Sequence, residues 1–168
     1  KMEYTPDLGK TWKVVRFDNP EKFRGVIQPA LLRHGNGVLQ ALYRTMGEKH
    51  LAENWSHDNG RSWSALKMIS LPSNNSGFDA VELKDGRFLL VYNHAETPDG
   101  RWGGKRTPLN VAVSSDGKEW KPALILEDGP GEYSYPSVIQ AEDGKIHVIY
   151  TWNRVRIKHV VLDPAALE

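Results

Sequence analysis

The chain has no cysteine, which removes disulfides, thiolate nucleophiles and thiolate metal ligands without choosing a compartment. No apolar run is long enough to span a bilayer, and no segment reads as a signal peptide. An excess of one charge is missing too: 22 Lys and Arg face 21 Asp and Glu, interspersed, for a net charge of +1. Without a basic stripe, nucleic acid is not an expected partner. Six histidines are scattered without ligand-type spacing, so no metal site is expected. No stretch carries a convincing helical period, and helix should be scarce.

What the chain does have is 15 Gly, 6 Trp and 6 Tyr, and much of it falls into a repeated turn. The turn occurs at Thr5-Pro-Asp7-Leu-Gly9-Lys-Thr11-Trp12, at Ser56-His-Asp58-Asn-Gly60-Arg-Ser62-Trp63 and, one residue shorter, at Ser114-Ser-Asp116-Gly117-Lys-Glu-Trp120. Its residue types belong together for physical reasons. The Asp accepts backbone N–H groups ahead of it, the Gly takes a positive φ, the hydroxyl adds a local bond, and the Trp covers the turn and packs between sheets. A second repeat lies inside the first, where apolar runs end in Asn36-Gly37, Asp85-Gly86 and Asp143-Gly144, a strong hairpin signal. The strands that follow each carry a tyrosine in one column, at Tyr43, Tyr92 and Tyr150. Both repeats recur at intervals of roughly fifty to sixty residues, enough for one four-stranded blade.

The expected fold is therefore all-β, with about three four-stranded antiparallel blades of a propeller. A single partial domain over 1–168 divides into an outer half-blade at 1–20, blades at 26–70 and 77–127, and a last blade at 133–163 that is one strand short. If each innermost strand runs from top to bottom, the Asn-Gly and Asp-Gly hairpins and the Asp turns share the bottom rim. The top rim collects dissimilar polar residues. First strands start at Gln28, Gly77 and Tyr135, and second strands end at Arg44, Asn93 and Thr151. Variable polar residues on a repeated scaffold are where a ligand is usually met.

The turn is the Asp-box, and three in register resemble the sialidase (neuraminidase) superfamily of six-bladed β-propellers. The resemblance implies the C-terminal half of such a protein, a secreted or periplasmic setting, a glycan substrate and no cofactor. It also implies site residues. Tyr43-Arg44-Thr45 before the second box, and Arg106 running through Asn110 into the third, look like two arginines of the family's carboxylate-binding triad. Tyr135 stands where the nucleophilic tyrosine opens the last blade, with Tyr133 as the alternative. A neutral tyrosine suits a sugar whose anomeric carbon bears a carboxylate.

Gln28 occupies the place of the family's activating Glu, and an amide cannot take a proton. Glu53, Asp79 or Glu132 would have to substitute, and Asp79 is the first choice because it opens a strand in an otherwise small column, Ala30 and Ser137. Asn93, Tyr133 and Arg154 are further binding candidates, with Trp152-Asn153-Arg154 as a possible stacking platform and the Gly-rich Trp102 to Arg106 loop as a binding or gating loop. The family's acid/base Asp and third Arg belong to an N-terminal half, so this chain alone is expected to be inactive. Open edges could be met by that half, by a second copy, or by the Lys1 to Phe17 hairpin completing the last blade. The expected function is a sialidase-like glycoside hydrolase, the alternatives being a non-catalytic glycan-binding propeller or a purely structural one. The triplets at Asn54 and Asn74 match the glycosylation sequon.

Overall fold

A computed structural model describes residues 1–19 and 23–167. Pro20, the last residue of the expected 1–20 half-blade, lies outside the described residues. Among the described residues, thirteen strands form four antiparallel sheets. β1 (Met2–Tyr4) pairs with β2 (Lys13–Val15). β3 (Val26–Arg33), β4 (Leu39–Thr45), β5 (His50–Ser56) and β6 (Lys67–Pro72) make the second sheet, in sequence order. β7 (Asp79–Glu82), β8 (Phe88–Asn93), β9 (Leu109–Ser114) and β10 (Lys121–Glu127) make the third. β11 (Tyr133–Gln140), β12 (Ile146–Trp152) and β13 (Arg156–Leu162) make the last. The single helical element among the described residues is a 3-10 turn at Pro164–Ala166.

Second and third strands of the full sheets are buried on both faces because each sheet is covered by its neighbours. All six residues of β8 are buried. Leu90 belongs to an apolar layer with Leu42, Phe78 and Ala112, while Leu89 belongs to another with Val111, Val148 and Tyr150. The first strands β3, β7 and β11 lie side by side, which gathers their starting residues along one line.

The boxes close as their residue types require. In the second, the Asp58 carboxylate accepts from the Ser56 hydroxyl (2.9 Å), the Ser62 backbone N–H (2.8 Å) and the Ser62 hydroxyl (2.7 Å), and Trp63 Nε1 donates to the Gly60 carbonyl (3.1 Å). Asn59 N donates to Gly37 O at 2.9 Å, so the box and the β3–β4 hairpin share one rim. Trp63 and Trp120 pack against apolar layers as expected. Trp12 does not: it is 62% exposed, at the edge of the small two-stranded sheet.

The Ser62 hydroxyl, and then its backbone N–H, draw the Asp58 carboxyl down to about 2 from an ordinary 3.8. A folded-state value below the unfolded one stabilises the fold above the ordinary carboxylate range, and that stability is lost as pH falls toward the folded value. Asp58→Asn should therefore lower the thermal midpoint at neutral pH. The gap from the natural protein should narrow between pH 4 and 2, followed by circular dichroism; a gap constant across that window would rule out the ionised box as its cause.

Two points that the sequence leaves open are answered here. The β1–β2 hairpin forms its own sheet and does not complete the last blade, because its apolar residues, with Met2 and Phe17 foremost, cover the Ala41, Tyr43, Ala52 layer of the second sheet. Both sequon asparagines are buried. Asn54 accepts from Tyr43 OH at 2.9 Å and Asn74 Nδ2 donates to Lys105 O at 2.6 Å, so neither side chain is open to a glycan in the folded protein.

Candidate functional site

The opening of β3 and the opening of β11 share an unusual backbone. Gln28 and Tyr135 both have φ 51° and both precede a proline, and the pairing of each strand slips at that point, between Ile27 and Ala30 and between Ser134 and Ser137. A positive φ on a non-glycine residue costs energy and is tolerated where surroundings impose it. Such bulges re-aim a side chain. Here both side chains turn toward Gly77, two residues before β7 of the third sheet. A methyl group on Gly77 would stand 3.0 Å from Tyr135 Cδ1 and 3.8 Å from Gln28 Oε1. Gly77 is what allows the two to approach, and the opening there measures about 210 Å³.

Arg44, from the end of β4, reaches this group from below. Its Nη1 donates to Gln28 Oε1 at 2.7 Å and its Nε to Asn75 Oδ1 at 2.6 Å. Both partners are neutral amides, so neither offsets the positive charge of the buried guanidinium. Burial pulls its pKa below the ordinary arginine value, and the like charge of Arg106 adds to this. Asn75 also donates from Nδ2 to Trp102 O at 2.7 Å, which ties the Gly-rich loop to the arginine. Gly104 N completes that tie by donating to Asn74 O at 2.9 Å. The loop is anchored rather than free.

Arg106 comes from the end of the same loop. Its Nη1 donates to Glu132 Oε1 at 3.2 Å, and its Cζ lies 5.0 Å from the centroid of the Tyr135 ring. Glu132 Oε1 also accepts from Arg154 Nε (2.8 Å) and the Ser134 hydroxyl (3.3 Å). Burial works against the Glu132 carboxylate, but Arg154 and Arg106 outweigh it and leave its pKa below the ordinary range. Beside this pair opens a further cleft of about 460 Å³ between Gly104–Thr107 and Pro130–Glu132.

Tyr135 is half exposed, and its phenol is held below the ordinary value by polar contact with Arg106, then by the charge of Arg106 and that of Arg44. The column tyrosines go the other way: burial raises Tyr43 and Tyr150, and lifts Tyr92 to about 12. Electrostatics thus separates one tyrosine beside two cations from three that hold sheets together.

The other candidates have different surroundings. Tyr133 is 4% exposed, with its ring in the core against Trp152. Asn93 is buried, and its Nδ2 links Pro108 O and Tyr133 O. Asp79 gives one oxygen to Ala80 N (3.0 Å) and the other to Val138 N (2.9 Å), a clamp between the third sheet and the last. Glu53 is buried in the middle of β5, accepting from Gln40 and paired with Lys67. Arg154 is largely exposed and paired with Glu132. Trp152 has Arg156 over its ring at 4.0 Å. Asn75 escaped the sequence reading because its triplet was read only as a sequon, and its signal was two adjacent amides in a short polar linker between blades.

Antiparallel sheets set side by side along their first strands, with Asp-boxes at one rim and polar strand openings at the other, are those of a sialidase-superfamily β-propeller. The chain matches the BNR repeat-like domain over residues 1–148 and belongs to that family. It is similar to the anhydrosialidase of Macrobdella decora, 25% identical over 167 residues, across 90% of this chain and 22% of that protein. Solved structures with this fold include the NanB sialidase of Streptococcus pneumoniae, with TM-score 0.76 and 18% identity over 98% of this chain and 27% of that one. The intramolecular trans-sialidase of Ruminococcus gnavus matches with TM-score 0.75 and 18% identity, over 98% of this chain and 38% of that one. The chain thus spans about a fifth of the curated relative it matches.

Proposed function

We propose that this chain carries the carboxylate-binding and tyrosine-bearing side of a sialidase-like glycoside hydrolase site acting on terminal acidic sugars. The observation that supports this most is the pair Arg44 and Arg106 at Tyr135, with Arg44 hydrogen-bonded to the neutral amides of Asn75 and Gln28. A buried cation with neutral partners favours an anionic ligand, and a planar guanidinium takes a carboxylate in bidentate fashion. Tyr135 would then supply the nucleophilic oxygen at the anomeric carbon. Its lowered phenol reduces the demand on a base, which Gln28 cannot meet. Of the carboxylates considered as substitutes, Asp79 and Glu53 already hold other groups, and Glu132 serves two arginines.

The remaining catalytic groups, and the sheets that would close a ring, belong in this proposal to a further propeller half packed on the last blade. The β11–β13 face there exposes Ile139, Ile149, Ile157 and Val161. Gln28 gives a second reading its footing, a glycan-binding propeller that keeps the arginines without turnover. Assays of the full-length protein on sialosides, beside Tyr135→Phe, decide between them. Loss of turnover with sugar binding retained supports the hydrolase. A natural protein that binds without turnover supports the lectin, and neither binding nor turnover of any acidic sugar defeats both.

A further inference from the structure

The largest cavity among those described here is on the other rim, between the second and third sheets, at about 620 Å³. Its wall is Trp55, half-buried at the end of β5, with the His34 ring at 4.7 Å between centroids and Lys118 Nζ 5.5 Å from the indole centroid. His57 and Ser64 add polar groups at its edge. None of these belongs to the arginine site.

Behind the wall is a buried polar network. Gln40, fully buried, donates from Nε2 to Glu53 Oε2 and to Gly117 O, both at 2.7 Å. With its nitrogen committed to two acceptors, the amide oxygen must be what meets His34 Nε2 at 3.0 Å. His34 Nε2 therefore carries the proton, and in the neutral ring Nδ1 is the acceptor nitrogen. The ring is also held from the other side by Phe88, at 4.3 Å between centroids. Trp55 and Phe88 thus fix the plane of a ring that lines the cavity before any ligand arrives.

The residues lining the cavity carry charges of both signs. Lys67 is bound to Glu53 at 2.9 Å. Asp116 faces Lys118, whose charge contributes to lowering the Asp116 carboxyl after the backbone N–H groups of Glu119 and Lys118. An anion gains little here, in contrast to the opposite rim. What remains is a π-face flanked by hydrogen-bonding groups, which suits the apolar C–H face and surrounding hydroxyls of an uncharged sugar ring.

We propose that this cavity is a second, non-catalytic saccharide site that takes a neutral sugar stacked on Trp55. The Lys118 ammonium moves aside and donates to ring hydroxyls, and a glycan can then be held at both rims by different chemistry. The test is an amide and indole NMR titration of the protein with methyl β-galactoside and methyl α-mannoside, beside N-acetylneuraminate. A neutral sugar should shift the Trp55 indole N–H and the backbone signals of His34, Gly117 and Lys118. Trp55→Ala should bind about tenfold more weakly, a loss of the size expected for one stacking contact. Arg106→Ala should leave this binding unchanged, so failure here is distinct from failure of the arginine site. Neutral sugars that leave the Trp55 signals unmoved overturn the proposal, as does N-acetylneuraminate moving them equally. Should Trp55→Ala not fold, the map on the natural protein decides alone.

Discussion

Arg106→Ala should weaken binding of a sugar acid such as N-acetylneuraminate by about 10–100-fold, the range for losing hydrogen bonds to a charged group. The change is local. Arg44 keeps its hold on Gln28 and Asn75, and Glu132 keeps Arg154 and Ser134, so the substitution removes one guanidinium without releasing a network. Two readouts must move together. Calorimetry should report the weaker binding, while ultraviolet titration of Tyr135 should show its phenol rising, since Arg106 is the first cause of its lowered value. Arg106→Lys should restore more of the phenol shift than of the affinity, because an ammonium replaces the charge but not the bidentate fork. Unchanged affinity in Arg106→Ala, with the phenol risen, would mean that the guanidinium serves the tyrosine and not a ligand.

Much of this architecture is legible because the local chemistry and the repeat agree. The Asp-box residues could only close tight turns, and once these were aligned the strands followed. The observed strands Phe88–Asn93 and Leu109–Ser114 lie between the Asp85-Gly86 hairpin and the third box, inside the blade placed at 77–127. Arg44 and Tyr135 stood out as positions in a repeated frame, and Arg106 through the resemblance to the sialidase superfamily. What a frame of alternating strands cannot show is a break in alternation. Tyr133 and Tyr135 are two residues apart and should share a face in a regular strand. The bulge at Tyr135-Pro136 sends Tyr133 into the core and leaves Tyr135 open. Nor can spacing show where a carboxylate spends its oxygens. Asp79 has the column position of a site residue, yet its two backbone acceptances lie along β7 and across to β11. Asn75 is the converse, a linker residue whose importance rests on which atom it faces.

Leu90→Ala should cost about 2–5 kcal/mol, the range for emptying a buried leucine site that cannot collapse. Leu90 is fully buried in the middle of β8, hydrogen-bonded between β7 and β9, so the backbone on either side is fixed. The neighbours it would leave, Leu42, Phe78 and Ala112, belong to three strands or their flanks in two sheets, and none can fill the gap without breaking a seam. Leu89→Ala should cost a similar amount through the other seam, where Val111, Val148 and Tyr150 stand. Ile125→Ala on β10, 55% exposed, should stay within about 0.5 kcal/mol. Urea unfolding measures all three, and against a typical total of about 5–15 kcal/mol either core change removes a large share. The seam also bears on the site, since Ala30 and Phe78 lie in the Leu90 layer close to Gln28 and Gly77. Sugar-acid affinity measured well below the lowered unfolding midpoint should nevertheless persist in Leu90→Ala, because its contacts come from the strand openings. A Leu90→Ala protein as stable as the natural one would show that the second and third sheets are not held together by this layer.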